Sequence, residues 1–236
     1  MLIPIIAALQ LHAAAVSPWK ILDRTSIAWR TGATPYEVLL EESVPPRDSD
    51  PDHRIRIRVP GRPDFVIVDD RGPGPYLAVR EALKFSDHRL ISSTLPDSAR
   101  VLPLPLGGPG GTAVIAVFGW AYASDPEELT LIGFDPKGYP YKLFRGDFAL
   151  KAVADLDGDG LPEVVGRPTI PQGYGKCSAT YDPYAVYRAD GGKLRYDLEL
   201  SRRYNEAHYV WAGPHMSEQI EVEQCTPGKY HLLRHK

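Results

Sequence analysis

Residues 155–163 read Asp-Leu-Asp-Gly-Asp-Gly-Leu-Pro-Glu and place carboxylates at loop positions 1, 3, 5 and 9, on Asp155, Asp157, Asp159 and Glu163. Gly160 stands at position 6, where a cation-binding loop turns sharply. Carboxylates this close in sequence repel one another unless a positive charge sits between them. Hard oxygen ligands at this spacing suit Ca²⁺, which takes roughly 6–8 oxygens at about 2.3–2.6 Å. The backbone carbonyl of Leu161, at position 7, completes the expected ligand set. The plain alternative is a solvated acidic turn, since Asp and Gly are ordinary turn residues. Alternating acids together with the position-6 glycine favour the ion.

The elements around this loop decide what kind of site it is. A helix–loop–helix site needs a bidentate Glu at position 12, and that position is Gly166. The flanks, 148–154 before the loop and Val164-Val165 after it, are short apolar runs bounded by Gly and Pro, and they read as strands. The segment from Val153 to Val165 resembles the calcium-binding turn of FG-GAP/VCBS-type repeats, the integrin-alpha-like β-propellers and their bacterial secreted relatives. The match covers one loop. The resemblance implies metal roles for Asp155, Asp157, Asp159, Leu161 (through its carbonyl) and Glu163, with the ion tying together a turn between two strands of a blade.

The rest of the chain supports a β-rich reading. Tyr36 to Leu40 reads as a strand, and 43–53 as a polar, Pro-rich loop. Arg54 to Val59 alternates with period two, turning Ile55, Ile57 and Val59 inward and Arg54, Arg56 and Arg58 outward. Pro60 to Pro63 then turns the chain into Asp64 to Asp69, which makes a hairpin. The three-arginine face is either an anion site or the solvated side of a sheet, and arginines on such a face also discourage edge pairing. Segment 76–85 fits helix and strand equally poorly. Further strands are expected at 99–106, 112–121, 128–134 and 139–144, and a hairpin over 184–188 and 193–196 around Gly191-Gly192. Segment 199–209 breaks the β pattern and reads as one short helix, with Leu200, Tyr204, Ala207 and His208 on one face. These elements predict an all-β fold of antiparallel meander sheets, propeller-like or alternatively a β-sandwich, with one short C-terminal helix.

Residues 1–19 carry no Lys, Arg, Asp or Glu, and a mostly apolar run leads to Ala13-Ala14-Ala15. This reads as a signal peptide over 1–15, followed by a single β-rich domain over 16–236 in a secreted or periplasmic protein. The apolar core is shorter than the roughly 20 residues of a membrane-spanning helix. Cys177 and Cys225 are the only cysteines, and an even count in an exported chain suggests a disulfide. Such a bridge stabilises by about 4 kcal/mol in the chain-entropy picture. A net charge of −3 gives no electrostatic case for nucleic acid or an anionic membrane.

No catalytic signature is present: there is neither a Gly-x-Ser-x-Gly elbow nor a His-Glu-x-x-His helix. His208 and His215 flank Tyr209 and Trp211 and read as histidines on a packed aromatic region. The expected function is binding or adhesion to an extracellular glycan or protein, with a structural Ca²⁺ and with Tyr174, Tyr181, Tyr184 and Trp211 as contact candidates. The alternatives are an exported subunit that self-associates through an uncleaved apolar N-terminus and a small secreted hydrolase.

Overall fold

The computed structural model describes residues 19–44, 51–69, 75–84, 88–107, 112–120, 128–168, 179–181, 184–190, 192–210, 220–222 and 234–235. Residues 1–18, with the expected signal peptide, and Cys177, Cys225, Tyr174, Trp211 and His215 lie outside the described residues.

The described residues begin with a four-stranded meander: β1 (Trp19–Ile27), β2 (Tyr36–Ser43), β3 (His53–Arg58) and β4 (Phe65–Asp69), each antiparallel to the next. The expected hairpin is β3–β4, with Ile57 opposite Phe65 and Ile55 opposite Ile67. The period-two pattern holds here: Ile55, Ile57 and Val59 are buried. After the one-turn helix α1 (Val79–Ala82) and a short 3-10 turn come β5 (Val101–Leu104), β6 (Val114–Gly119), β7 (Glu128–Phe134), β8 (Pro140–Ala154) and β9 (Glu163–Pro168). Then follow β10 (Ala179–Tyr181), β11 (Ala185–Asp190), β12 (Lys193–Tyr196), α2 (Leu198–His208), β13 (Tyr209–Val210), β14 (Ile220–Val222) and β15 (Arg234–His235). The large sheet runs β12-β11-β9-β8-β7-β6-β5, while β10 pairs with β14 and β13 with β15. Among the described residues no helix is long and apolar enough to cross a membrane.

Alternation along β5–β7 builds a core on both of their faces. Ile115 and Val117 pack with Ile132, Phe134, and Val38, Leu40, Ile55 and Ile57 of the first sheet. Val114, Ala116 and Phe118 point the other way, toward Leu129, Leu131, Val79 and Leu83 of the α1 segment, and Phe148 and Leu150 of β8. Strands buried on both sides read as the near-continuous apolar runs seen in 114–119 and 129–134. The chain is therefore mostly β, with two antiparallel sheets packed face to face. This fits the sandwich-like alternative, and no closed ring of blades is formed among the described residues.

Strand β8 departs from the expectation of two separate strands. It is continuous over 15 residues, pairing with β7 through Pro140–Asp147 and with β9 through Phe148–Ala154. A register shift interrupts each ladder, leaving Leu143 and Lys151 as the extra residues. Bulges of this kind bend a strand and increase its twist, which lets one strand serve two neighbours along its two halves. Gly166 of β9 lies so close to β8 that a Cβ there would come within 2.3 Å of the Ala149 carbonyl oxygen. The residue that disqualified the helix–loop–helix reading is thus needed to close this part of the sheet.

Helix α2 spans nearly the expected segment but turns a different face inward. Its buried residues are Leu200, Ser201 and Asn205, whereas Ala207 and His208 are exposed. Strand β12 pairs with β11 only from Tyr187 onward, leaving the start of β11 without a strand on that side among the described residues. Helix side chains take the place of a strand. The Asn205 side chain accepts the Tyr184 N–H (2.9 Å) and donates to the Tyr184 carbonyl (2.8 Å). Ser201 Oγ accepts the Val186 N–H at 2.8 Å, and the Asp197 N–H donates to the Val186 carbonyl at 2.9 Å. Asn205→Ala removes two hydrogen bonds to the Tyr184 backbone, and a buried polar group that loses its bond costs roughly 1–3 kcal/mol. The expected result is a loss of about 2–4 kcal/mol in urea unfolding, larger than for the neighbouring exposed Glu206→Ala.

Candidate metal centre

The acidic segment is the β8–β9 turn. Ala154 and Glu163 are the paired residues that close it, and 155–162 form the loop between them. Gly158 and Gly160 have φ of 82° and 85°, the left-handed region that glycine enters at little cost. Gly160 therefore makes the sharp turn expected at position 6. The loop is held by its own carboxylates. Asp155 accepts the Gly158 N–H (2.7 Å) and the Gly160 N–H (2.9 Å) on its two oxygens. Asp157 Oδ1 accepts the Asp159 N–H at 3.2 Å, and Asp159 Oδ1 accepts the Leu161 N–H at 2.8 Å.

These bonds bring Asp155, Asp157 and Asp159 together, with one oxygen from each lying within 4.8 Å of the others. Glu163 is not part of that set. It is 1 % exposed, and its Oε2 accepts the Leu156 N–H at 2.8 Å. Burial pushes its carboxyl above the ordinary glutamate value, and the negative charges of Asp157 and Asp159 push the same way against the Leu156 N–H and Arg188. Leu161 presents a half-exposed side chain, and its N–H belongs to the Asp159 bond.

The positive charge that the sequence demands comes from Arg188 of β11. Its guanidinium bonds the Asp157 carboxylate through Nη2. It approaches Asp159 Oδ2 at 3.3 Å and Glu163 Oε1 at 3.9 Å through Nη1, and holds Asp197 Oδ2 at 2.7 Å through Nε. Hydrogen bonding to Arg188 lowers the Asp157 carboxyl below its ordinary value. Asp197 is lowered first by the Leu200 N–H, which it caps at 2.9 Å, and then by Arg188. Sequence reasoning missed both Arg188 and Asp197. An Asp just ahead of a helical segment is a capping signal that would have located Asp197. Nothing in the local sequence marks Arg188, whose role comes from strand pairing.

Beside the loop opens a cleft of about 660 Å³, lined on one side by Asp159, Leu161 and Glu163 and on the other by Arg188, Tyr196 and Leu198. Leu161, Tyr196 and Leu198 are exposed, so the cleft has an apolar rim around charged groups.

The other expected contacts fare differently. Tyr184 is a correction: it is only 7 % exposed, its ring packed edge-on against Tyr204 at 5.5 Å, so it offers no contact surface. Tyr181 ends β10, opposite Ile220 of β14. His208 is exposed and stacks on Tyr204 at 4.0 Å.

The three-arginine face is internally neutralised. Arg54 and Arg56 both bond Glu41, Arg54 at 2.6 Å through Nε, and Arg58 reaches Glu37 at 2.7 Å. Arg54 also lies 3.9 Å over the Trp19 ring, and Arg56 Nη1 lies 3.5 Å from Asp64. Such pairing satisfies the arginines from within the sheet and weakens the case for an anion site. Burial alone would raise the Glu41 carboxyl, but the Arg54 and Arg56 guanidiniums more than offset it and hold it below the ordinary 4.5. A carboxyl lowered by folding stabilises the fold above its unfolded value, and that contribution fades as pH falls through the lower folded value. Glu41→Gln is therefore expected to cost roughly 1.5–3 kcal/mol at neutral pH. The gap to wild type should close as acid titration of stability by urea unfolding passes below 4.5. A gap that stays constant into acid would contradict the assignment.

Comparison with protein-family models, curated proteins and solved structures finds no match.

Proposed function

We propose that this protein is an exported, calcium-binding β-rich module that recognises a glycan or a protein, with the ion serving structure rather than catalysis. The observation that carries the reading is the convergence of Asp155, Asp157 and Asp159, which offers three hard oxygens within 4.8 Å of one another. All-oxygen, carboxylate-rich donor sets suit calcium better than softer transition metals. The FG-GAP-like pattern of 153–165 points the same way, for the loop alone and without a ring of blades. Asp155, Asp157 and Asp159 would hold the ion, with the Leu161 carbonyl and Glu163 as further oxygens. A bound dication would neutralise the crowded carboxylates and tie the β8–β9 turn to the sheet.

The cleft beside the loop is the recognition surface in this reading. Exposed Tyr196, Leu198 and Leu161 supply apolar contact, and Arg188, Arg195 and the nearby carboxylates supply hydrogen bonds, a mixture suited to a sugar or a peptide. Ion binding would shape this surface by stiffening the wall that carries Asp159 and Leu161. The apolar start of the chain supports export, where calcium is abundant enough to fill a site of roughly 10⁻⁴–10⁻³ M affinity.

One observation favours a second reading, an ion-free loop. Arg188 already lies against Asp157, Asp159 and Glu163 and supplies the counter-charge in part. Thermal melts of the full chain in EDTA, millimolar Ca²⁺ and millimolar Mg²⁺ separate the two. The proposal expects a Tm rise with Ca²⁺ that exceeds any with Mg²⁺ and disappears in Asp159→Ala. Superimposable melts in all three conditions would reject the cation site and leave the arginine-held turn. A glycan array and a pull-down with the calcium-loaded protein then test recognition, and silence in both would count against a binding module.

A further inference from the structure

We infer that Arg188 is a tethered counter-ion for the 155–163 loop, which competes with the bound cation and yields its place by turning to Asp197. The inference rests on the cation reading above and adds how the site is held and tuned. Three features of the structure support it.

The placement of Arg188 follows from strand register. The β9–β11 ladder ends with Tyr187 opposite Val164, so Arg188 comes next in line with Glu163, the residue that opens β9. Its side chain shares a face of β11 with Val186, which packs with Leu200 of α2. Arg188 is thus directed to the gap between the acidic loop and the start of α2, where Asp197 stands.

The contacts divide between two anchors. On the loop side the guanidinium meets Asp157, Asp159 at 3.3 Å and Glu163 at 3.9 Å, and on the helix side Nε holds Asp197 at 2.7 Å. One unit of positive charge faces four carboxylates, with Asp155 close behind and Arg203 adding a more distant positive charge. The loop therefore keeps a net demand for cation even with Arg188 in place.

A dication drawn to the same oxygens would repel the guanidinium, and the two cannot share Asp157 and Asp159 at full strength. Asp197 already holds Arg188 through Nε and can keep it when the loop contacts are released, without moving α2, because its other oxygen continues to cap Leu200 at 2.9 Å. Arg188, Asp159, Glu163 and Asp197 all line the cleft, so this exchange takes place at its wall. Ion occupancy would then set the charge of the recognition surface as well as the stiffness of its wall.

Calcium titration of the full chain by calorimetry tests this with Arg188→Gln, Arg188→Lys and Asp197→Asn. Glutamine removes the competing charge, so Ca²⁺ should bind about tenfold more tightly, while Tm in EDTA falls. Lysine keeps the charge without the planar fork and should give an affinity between wild type and glutamine. Asparagine at 197 preserves the cap but not the charge that receives Arg188, so Ca²⁺ should bind severalfold more weakly. If Arg188→Gln fails to fold, the order of lysine, wild type and asparagine variants decides. Equal affinities across the foldable variants would overturn the counter-ion role and leave the cation reading standing. Binding by Arg188→Gln but not by wild type would support the inference and confine wild type to the arginine-held state. No binding by any variant would overturn both.

Discussion

The carboxylates gathered where β8 turns into β9 must be balanced by positive charge, and the surrounding elements are arranged around that constraint. Asp155, Asp157 and Asp159 spend oxygens on loop N–H groups, which holds the turn but leaves their charge in place. Arg188 reaches them from the neighbouring strand and reaches Asp197 at the head of α2 with the same group. One guanidinium therefore links a turn, a sheet and a helix. The planar, multi-donor geometry of arginine suits this task better than a lysine point charge.

A similar economy governs the backbone nearby. A sheet edge leaves N–H and C=O groups without partners, and burying them unsatisfied is costly. The start of β11 pairs with β9 on one side and meets α2 on the other, where Asn205 and Ser201 bond the Tyr184 and Val186 backbone. The helix is consequently fastened by polar contacts as well as by Leu200 and Tyr204 in the small apolar cluster with Val165, Tyr184 and Val186. The position of Asp197, and through it that of Arg188, depends on this docking.

Much of the β architecture was legible from period and punctuation. Ile55, Ile57 and Val59 alternate with arginines and face the core, and Pro60 to Pro63 marks the turn into β4. Strands were expected at 112–121 and 128–134, and β6 and β7 lie there, buried on both faces. Period alone did not reveal that 140–154 is one bent strand, because a bulge interrupts the alternation and local reading splits the segment. It also misassigned the buried face of α2. Hydropathy places polar Ser201 and Asn205 outside, whereas their bonds to the Val186 and Tyr184 backbone draw them in. Tyr184 was misplaced for a related reason: an aromatic near a loop reads as a contact, yet α2 covers it.

The sequence by itself determined the acidic turn. The order of Asp, Gly and Glu over nine residues dictates a tight loop, crowded carboxylates and a need for cation, since all of these follow from local geometry and charge. Only the tertiary structure decided what stands against that charge. Arg188 lies 25 residues beyond Glu163 in the chain, and nothing local singles it out from the other arginines. Antiparallel pairing of β9 with β11 and the docking of α2 bring it to the loop. Ion pairing acts through space, so a partner distant in sequence is chosen by register and packing.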